Sequence, residues 1–194
     1  MEFFNIIPGQ PRRTLFWGPV ATAKTSLLGL GIQWVSRQKL RHLTFVPHIL
    51  YKSGALQHSR TGITFPAVAF ETLAQAEQLV SEQQPQVVFI EEIQFVEELP
   101  AFLDFLSSLN ITVIMTGLNS RDDGQPWPVV RDIIHTCNVV QMPGICHMCG
   151  ATNALYSRNV SGQSSGPDHV LLDTTKQQDH DIFRPTCYKC FFAK

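Results

Sequence analysis

The sequence has no apolar run of the roughly 18–20 residues that a membrane-spanning helix needs. Residues 1–8 also lack the basic segment and following apolar stretch that are typical of a secretory signal. The 5 cysteines are too few and too clustered for the disulfide framework of a secreted protein. These absences argue against membrane-spanning and disulfide-stapled classes of protein, and we expect a reducing, cytoplasmic setting.

Charge is also scarce, since charged residues make up only 16% of the 194 residues. The 15 basic and 16 acidic side chains nearly balance, and no block of like charge occurs. We therefore expect neither a nucleic-acid polymer nor a membrane surface as the partner. Such a low charge predicts a surface rich in Gln, Ser and Thr, part of it covered in a homo-oligomer.

An apolar segment at 14–17 leads into a turn of small residues and then a helical pattern. The segment 18–25 has the form G-x-x-x-x-G-K-[ST] of a phosphate-binding loop, except that Ala23 replaces the last Gly. In such a loop, small residues let backbone N–H groups point at phosphate oxygens. Lys24 would reach the β- and γ-phosphates, and the Thr25 hydroxyl would bind Mg²⁺. The alternative is an ordinary strand–turn–helix with a chance Lys-Thr pair.

Strand and helix patterns alternate over the first 140 residues. Strands are predicted at 14–17, 43–46, 65–70, 87–90, 111–115 and 139–140. Helices are predicted at 24–39, 71–82, 97–109 and 129–135, and a polar loop at 51–62. This alternation predicts an α/β fold with a parallel sheet flanked by helices. Ligands of such sheets bind at the carboxyl ends of the strands, where 18–25, 91–95 and 117–127 all fall.

Two adjacent carboxylates, Glu91 and Glu92, follow the most apolar strand. In a P-loop enzyme an acidic residue at such a strand end can hold the metal and its water. A neighbouring carboxylate can accept the proton of an attacking hydroxyl. The alternative is a solvated pair at a strand–helix junction, since Glu97 and Glu98 follow closely.

The composition changes after Met142, where two Cys-x-x-Cys pairs flank a polar segment. Cys146 and Cys149 form the first pair, and Cys187 and Cys190 the second, with 37 residues between the pairs. Four thiolates in two chelating pairs can bind one Zn²⁺ tetrahedrally, and a full shell makes the metal structural rather than catalytic. Reduced thiols or a redox pair are the alternatives. We predict two domains, a nucleotide-binding domain at 1–142 and a zinc-binding domain at 143–194.

The order of these signals resembles the zinc-containing thymidine kinase family of animals, bacteria and large DNA viruses over about residues 14–193. Six segments carry the resemblance: Gly-Pro-Val-Ala-Thr-Ala-Lys-Thr at 18–25, Ile-Glu-Glu-Ile-Gln-Phe at 90–95, Gly-Leu at 117–118, Gln-Pro-Trp at 125–127, Cys-His-Met-Cys-Gly at 146–150 and Cys-Tyr-Lys-Cys-Phe at 187–191.

The resemblance implies a role for each segment in a kinase that converts ATP and thymidine to dTMP and ADP. Glu92 would be the general base on the nucleoside 5′-hydroxyl, and Glu91 would assist Thr25 in holding Mg²⁺. The ATP phosphates would lie on Gly18, Pro19, Val20, Ala21, Thr22, Ala23, Lys24 and Thr25. A zinc-pinned lasso would cover the nucleoside, which would contact Phe95, Leu118, Trp127 and Phe183. The family is also typically a homotetramer.

Several positions depart from the family pattern. Glu91 stands where the family has Asp, Trp127 where Phe is usual and Phe183 where Tyr is usual. The lasso lacks its Gly-Gly pair, the acidic-x-Arg-Tyr signature is reduced to His-Ile-Leu-Tyr at 48–51, and Asp122 replaces an aromatic residue. These departures concern mainly the nucleoside pocket. A P-loop ATPase and a weakened, kinase-fold binding module are therefore the alternatives to a deoxynucleoside kinase.

Overall fold

The computed structural model of the chain describes residues 12–50, 55–57 (backbone only), 64–162 and 182–193. The strands are β1 (Arg13–Gly18), β2 (His42–Pro47), β3 (Ala55–Gln57), β4 (Thr64–Pro66), β5 (Val68–Phe70), β6 (Val87–Ile90), β7 (Thr112–Leu118), β8 (Asn138–Gln141), β9 (Tyr156–Asn159) and β10 (Phe183–Thr186). The helices are α1 (Lys24–Arg37), α2 (Leu73–Gln83), α3 (Leu99–Ser108), α4 (Pro128–Ile133) and α5 (Tyr188–Phe192). Short 3₁₀ turns lie at His48–Leu50, Ile93–Phe95 and Ile134–Thr136.

Six strands form the main sheet in the order β5-β2-β6-β7-β1-β8. Each of the five neighbouring pairs is parallel. Parallel strands need crossover connections. Helices α1, α2, α3 and α4 lie in four of them, whereas β3 and β4 lie in the connection from β2 to β5. The predicted α/β fold with a parallel sheet flanked by helices is confirmed.

Helices cover both faces of the sheet, and successive strand residues therefore enter different cores. Leu15, Val88 and Val113 face a core that α2, α3 and α4 complete. Phe16, Phe89 and Ile114 face a second core that is completed by α1. All four residues of β6 are fully buried, which explains why this strand is apolar throughout.

The region around β4 differs from the sequence prediction of one strand at 65–70. Thr64–Pro66 pairs antiparallel with Ala55–Gln57 in a separate small sheet, and only Val68–Phe70 joins the main sheet. Pro66 has no N–H to donate and stands at the break between the two segments, as proline does in strands. The predicted loop at 51–62 contains β3, and the rest of that loop lies outside the described residues.

We call residues 144–162 and 182–193 the cysteine unit. Its β9 and β10 pair antiparallel, with Ser157 opposite Pro185 and Tyr156 opposite Thr186. Sequence patterns did not predict these strands or α5, because each is too short to show a periodicity. Within the described ranges, no helix combines the length and the apolar character needed to cross a membrane.

Candidate active site

Three neighbouring strands bring the predicted site segments together. β6, β7 and β1 are adjacent in the sheet, and all run in the same direction. Their carboxyl ends, at Ile90, Leu118 and Gly18, therefore meet at one edge of the sheet. The phosphate-binding loop, the two glutamates and the segment after β7 start from that edge, as expected for a ligand site of this fold.

The loop between β1 and α1 makes its turn with two alanines in the left-handed conformation. Ala21 has φ 60° and Ala23 has φ 61°. Ala23 directly precedes α1 and provides no side-chain cap for the helix. The first N–H groups of any α-helix have no intrahelical acceptor, and the positive end of the helix dipole lies there. The turn therefore has the form that favours a bound phosphate.

Lys24 is buried at the start of α1, with only 5% of its surface exposed. Its ammonium donates to the Pro19 carbonyl at 2.5 Å and lies 3.4 Å from the Thr22 hydroxyl, both within the loop. Burial lowers the pKa of Lys24, and the negative charges of Glu92 and Glu91 offset part of that shift. Lys24 is thus bonded to the loop and attracted by the charges of both glutamates.

Glu91 accepts hydrogen bonds from two hydroxyls that belong to different elements. Thr25 of α1 donates to Glu91 Oε1, and Thr116 of β7 donates to Oε2. Burial, and then the charge of Glu92, raise the pKa of Glu91 to about 7, although these hydroxyls and Lys24 act in the opposite direction. The predicted magnesium ligands Thr25 and Glu91 are therefore in direct contact, and oxygen donors of this kind fit Mg²⁺.

Glu92 is half-buried and has a left-handed backbone, with φ 48°. Gln94 Nε2 donates to Glu92 Oε2 at 2.5 Å, while Gln94 Oε1 accepts the Leu118 N–H at 3.1 Å. The Glu92 N–H in turn donates to the Thr116 hydroxyl at 3.3 Å. The carboxylate predicted as general base is thus held by a buried amide that is itself anchored to the end of β7.

The predicted nucleoside contacts lie in two places. The Phe95 and Trp127 rings meet edge-on with centroids 5.4 Å apart. Trp127 belongs to the first core, and Phe95 and Leu118 pack against that core. Phe183 lies on β10 opposite Asn159, in the cysteine unit. Among the described residues, no ring contact joins Phe183 to the Phe95–Trp127 pair. The Trp127 indole N–H is buried, and it has no hydrogen-bond partner among the residues that the structure describes.

The four cysteines of the two Cys-x-x-Cys pairs come together. The sulfurs of Cys146, Cys149, Cys187 and Cys190 all lie within 4.8 Å of one another. Cys149 Sγ and Cys187 Sγ are 3.7 Å apart. A tetrahedral site with metal–sulfur bonds of about 2.3 Å has sulfurs about 3.8 Å apart. The cluster therefore fits a structural zinc ion. Four sulfur ligands would fill the tetrahedral shell and leave no coordination position for a substrate.

The backbone of the cysteine unit favours a thiolate at Cys146. Burial alone would raise the pKa of Cys146, but backbone N–H groups of Cys187, Cys149 and Met148 donate to its sulfur and lower that pKa to about 6. Hydrogen bonds with the Cys149 and Cys187 thiols instead raise the pKa of Cys190 to about 12. A metal cation bound here would favour the deprotonated form of all four thiols, because metal binding releases their protons.

Two residues that organise the site, Thr116 and Gln94, were not predicted from the sequence. Thr116 is fully buried at the end of β7 and bonds both glutamates. The sequence signal for Thr116 was a hydroxyl near the end of a largely apolar strand. The neighbouring strand in the sheet is the one that the two carboxylates follow. Gln94 belongs to the segment 90–95, but its amide role depends on how β6 and β7 lie side by side.

A comparison with protein families found a match over most of the chain. The model of the thymidine kinase family matches residues 14–191. The chain belongs to the thymidine kinase family. The prediction of an ATP-dependent kinase is thereby confirmed at the level of the family. The chain is a divergent member, since it is only 23–24% identical to the relatives described next.

The similar proteins include two thymidine kinases from different organisms. The one from Ureaplasma urealyticum is 24% identical over 164 residues, which cover 81% of this chain and 74% of that protein. The one from Mesomycoplasma hyopneumoniae is 23% identical over 176 residues, or 89% of this chain and 91% of that protein. Among solved structures, AMPPCP-bound DnaA from Aquifex aeolicus aligns with a TM-score of 0.44 and 14% identity, over 73% of this chain and 44% of that one. The family membership depends on the sequence matches alone.

Proposed function

We propose that this protein is a deoxynucleoside kinase that transfers the γ-phosphoryl group of ATP to the 5′-hydroxyl of thymidine. The observation that carries the proposal is the contact between loop and glutamates, in which Thr25 at the start of α1 donates to Glu91 at the end of β6. This contact brings a phosphate-binding turn and two carboxylates to one edge of the sheet, in a chain of the thymidine kinase family.

In phosphoryl transfer, a protein contributes mainly by positioning the reactants and by neutralising the charge of the phosphates. The backbone of 18–25 would hold the phosphates, and Lys24 would exchange its contact with the Pro19 carbonyl for the β- and γ-phosphate oxygens. Mg²⁺, when bound, would neutralise charge on those oxygens, and Thr25 and Glu91 are the residues that would hold it.

Glu92 is the proposed general base. Its carboxylate would accept the proton of the 5′-hydroxyl as the γ-phosphorus is attacked in line. The Gln94 amide at 2.5 Å fixes one carboxylate oxygen, and we propose that the other faces the substrate hydroxyl. Glu91, with two hydroxyl donors of its own, is occupied in a different role.

The nucleoside would lie against Phe95, Leu118 and Trp127, and Phe183 would approach it from the cysteine unit. The indole N–H of Trp127, buried without a partner among the described residues, supports a polar contact that the family's usual Phe cannot make. We therefore expect the nucleoside preference of this protein to differ in degree from that of relatives with Phe at this position.

The remaining expectations concern organisation. We propose a nucleotide-binding domain at 1–142 and a zinc-binding domain at 143–194, with zinc on the four cysteines, in a cytoplasmic homotetramer. The distance of 3.7 Å between two of the sulfurs supports the zinc assignment.

A nucleoside panel tests the proposed function. In the presence of Mg²⁺, purified protein should convert ATP and thymidine to equal amounts of ADP and dTMP, faster than it phosphorylates the other deoxynucleosides. Release of inorganic phosphate without nucleoside monophosphate would instead identify a P-loop ATPase. Binding of ATP with no turnover of any kind would identify a kinase-fold binding module.

A further inference from the structure

A hydrogen bond links the cysteine unit to the phosphate-binding loop. The Val20 N–H donates to the Ser157 hydroxyl at 3.0 Å, across 137 residues of sequence. Ser157 is on β9 and is 3% exposed, so water does not compete for this acceptor. The Val20 N–H is thereby committed to the cysteine unit, and the N–H groups that follow in the loop are left to receive phosphate.

A second contact lies two residues further along the loop. Gly144 of the cysteine unit packs so tightly that an added Cβ would lie 3.1 Å from Thr22 Cγ2 and 3.0 Å from Pro185 Cβ. The cysteine unit therefore touches the loop at both Val20 and Thr22. These two residues flank Ala21, which adopts the left-handed backbone that alanine disfavours.

The position of Ser157 is itself fixed by the residues around the four sulfurs. Ser157 pairs with Pro185 across the β9–β10 ladder, and Pro185 O accepts the His147 N–H at 2.9 Å, inside the first cysteine pair. β10 ends at Thr186, directly before Cys187. The β9–β10 ladder and the Ser157 hydroxyl thus connect both cysteine pairs to the loop.

We propose that Ser157 is a positioning residue for ATP: it transmits the geometry of the cysteine cluster to the phosphate-binding loop and keeps the loop in its nucleotide-binding form. Two disfavoured alanine conformations make this loop dependent on an outside contact, because nothing in its own sequence supplies a glycine at those points. The proposal rests on the proposed function, since the position of the loop matters only if the loop binds ATP.

Three variants test the proposal. Ser157→Ala removes the acceptor, and Ser157→Thr keeps it. Thr186→Val removes a hydroxyl that donates to the Arg184 carbonyl within β10, and it serves as the matched control. Zinc content and circular dichroism establish that each variant is folded. Isothermal titration with ATP should then show Ser157→Ala weakened about 3- to 10-fold, the range of one net hydrogen bond, with thymidine affinity unchanged. Ser157→Thr and Thr186→Val should bind ATP like the wild type.

Hydrogen exchange in nucleotide-free protein gives a second measurement that does not need ATP. The peptide spanning 18–25 should exchange faster in Ser157→Ala than in the wild type, Ser157→Thr or Thr186→Val. Equal ATP affinity and equal exchange in Ser157→Ala and wild type would overturn the proposal, as would an equal loss in Thr186→Val. Should Ser157→Ala not fold, Gly144→Ala, which presses on Thr22, must show the same two effects for the proposal to stand.

These outcomes are separable from those of the proposed function. A wild type that binds ATP but phosphorylates no deoxynucleoside would refute the kinase activity and leave the Ser157 comparison intact. A wild type that does not bind ATP would refute both the kinase and the role of Ser157 in ATP binding.

Discussion

Glu91 and Glu92 are neighbours in sequence, but the structure gives them different surroundings. Glu91 is buried and bound by two hydroxyls, whereas Glu92 is half-buried and bound through one oxygen to an amide. Different surroundings for two adjacent carboxyl groups commonly separate their chemical roles. On this ground we propose metal binding for the first and proton transfer for the second.

Glu92→Gln tests the second role. The variant keeps the size of the side chain and can still bond Gln94, but it cannot accept a proton from the 5′-hydroxyl. We expect turnover to fall by about 10²- to 10⁴-fold, the usual contribution of a general base. ATP affinity and melting temperature should stay close to the wild-type values. Glu97→Gln, an exposed glutamate nearby, is the control, and retained turnover in Glu92→Gln would mean that another group is the base.

Glu91→Gln tests the burial of the first carboxylate through the pH dependence of stability. The pKa of Glu91 is raised from 4.5 to about 7, so the folded protein keeps a proton that the unfolded chain loses between those values. This group's contribution to stability is therefore lost as the pH rises through about 7. The variant has no carboxyl group at this position and does not lose stability in this way. Between pH 5 and pH 8, its free energy of unfolding minus that of the wild type should increase by on the order of 2 kcal/mol.

Urea unfolding in magnesium-free buffer at several pH values measures this difference. Parallel pH profiles for the two proteins would show that Glu91 is not the group that titrates. A difference of the opposite sign would show that the hydroxyl bonds and Lys24 outweigh burial.

At the scale of elements, long apolar strands and spaced motifs were predictable. β6 and the loop that follows β1 have sequences that local chemistry explains, because complete burial and phosphate binding each restrict residue type. The break between β4 and β5 was not predicted, since the pairing partner of β4 is β3 rather than a strand of the main sheet. Which strand pairs with which depends on contacts distant in sequence, and short strands carry little pattern of their own.

Within the phosphate-binding loop, one residue does not suit the backbone conformation that it adopts. Ala23 has φ 61° where a phosphate-binding loop usually has glycine. A left-handed alanine costs about 1–2 kcal/mol, while glycine lowers stability through the unfolded chain by about 0.4–1 kcal/mol. Ala23→Gly should therefore raise the free energy of unfolding by roughly 0.5–1 kcal/mol.

Ala101→Gly is the matched control for this substitution. Ala101 is exposed in the first turn of α3, where glycine lowers helix stability by up to about 1 kcal/mol. Opposite signs for the two alanine-to-glycine changes, measured by urea unfolding, are the expected result. A loss of stability in both would mean that the loop does not adopt the left-handed conformation at Ala23.

At the scale of the whole molecule, the site depends on contacts between segments that are distant in sequence. Sequence motifs identified the loop, the glutamates and the four cysteines as separate features. Their mutual placement follows from the strand order, which puts β7 between β6 and β1, and from Ser157 on β9. Neither the strand order nor the Ser157–Val20 bond has a local sequence signal, so the connection between the cysteine unit and the loop required the structure.

The cysteine cluster leads us to predict the zinc content and the thermal stability of the whole protein. If one zinc ion holds the two Cys-x-x-Cys pairs together, native mass spectrometry should find one zinc per chain. Cys149→Ser should lose that zinc and melt at a lower temperature, because metal binding to a structural site is part of the folding free energy. Cys137→Ser is the control, since Cys137 lies outside the cluster and bonds the Ile133 carbonyl. It should retain its zinc, and a Cys149→Ser variant with full zinc content and unchanged melting temperature would contradict the assignment.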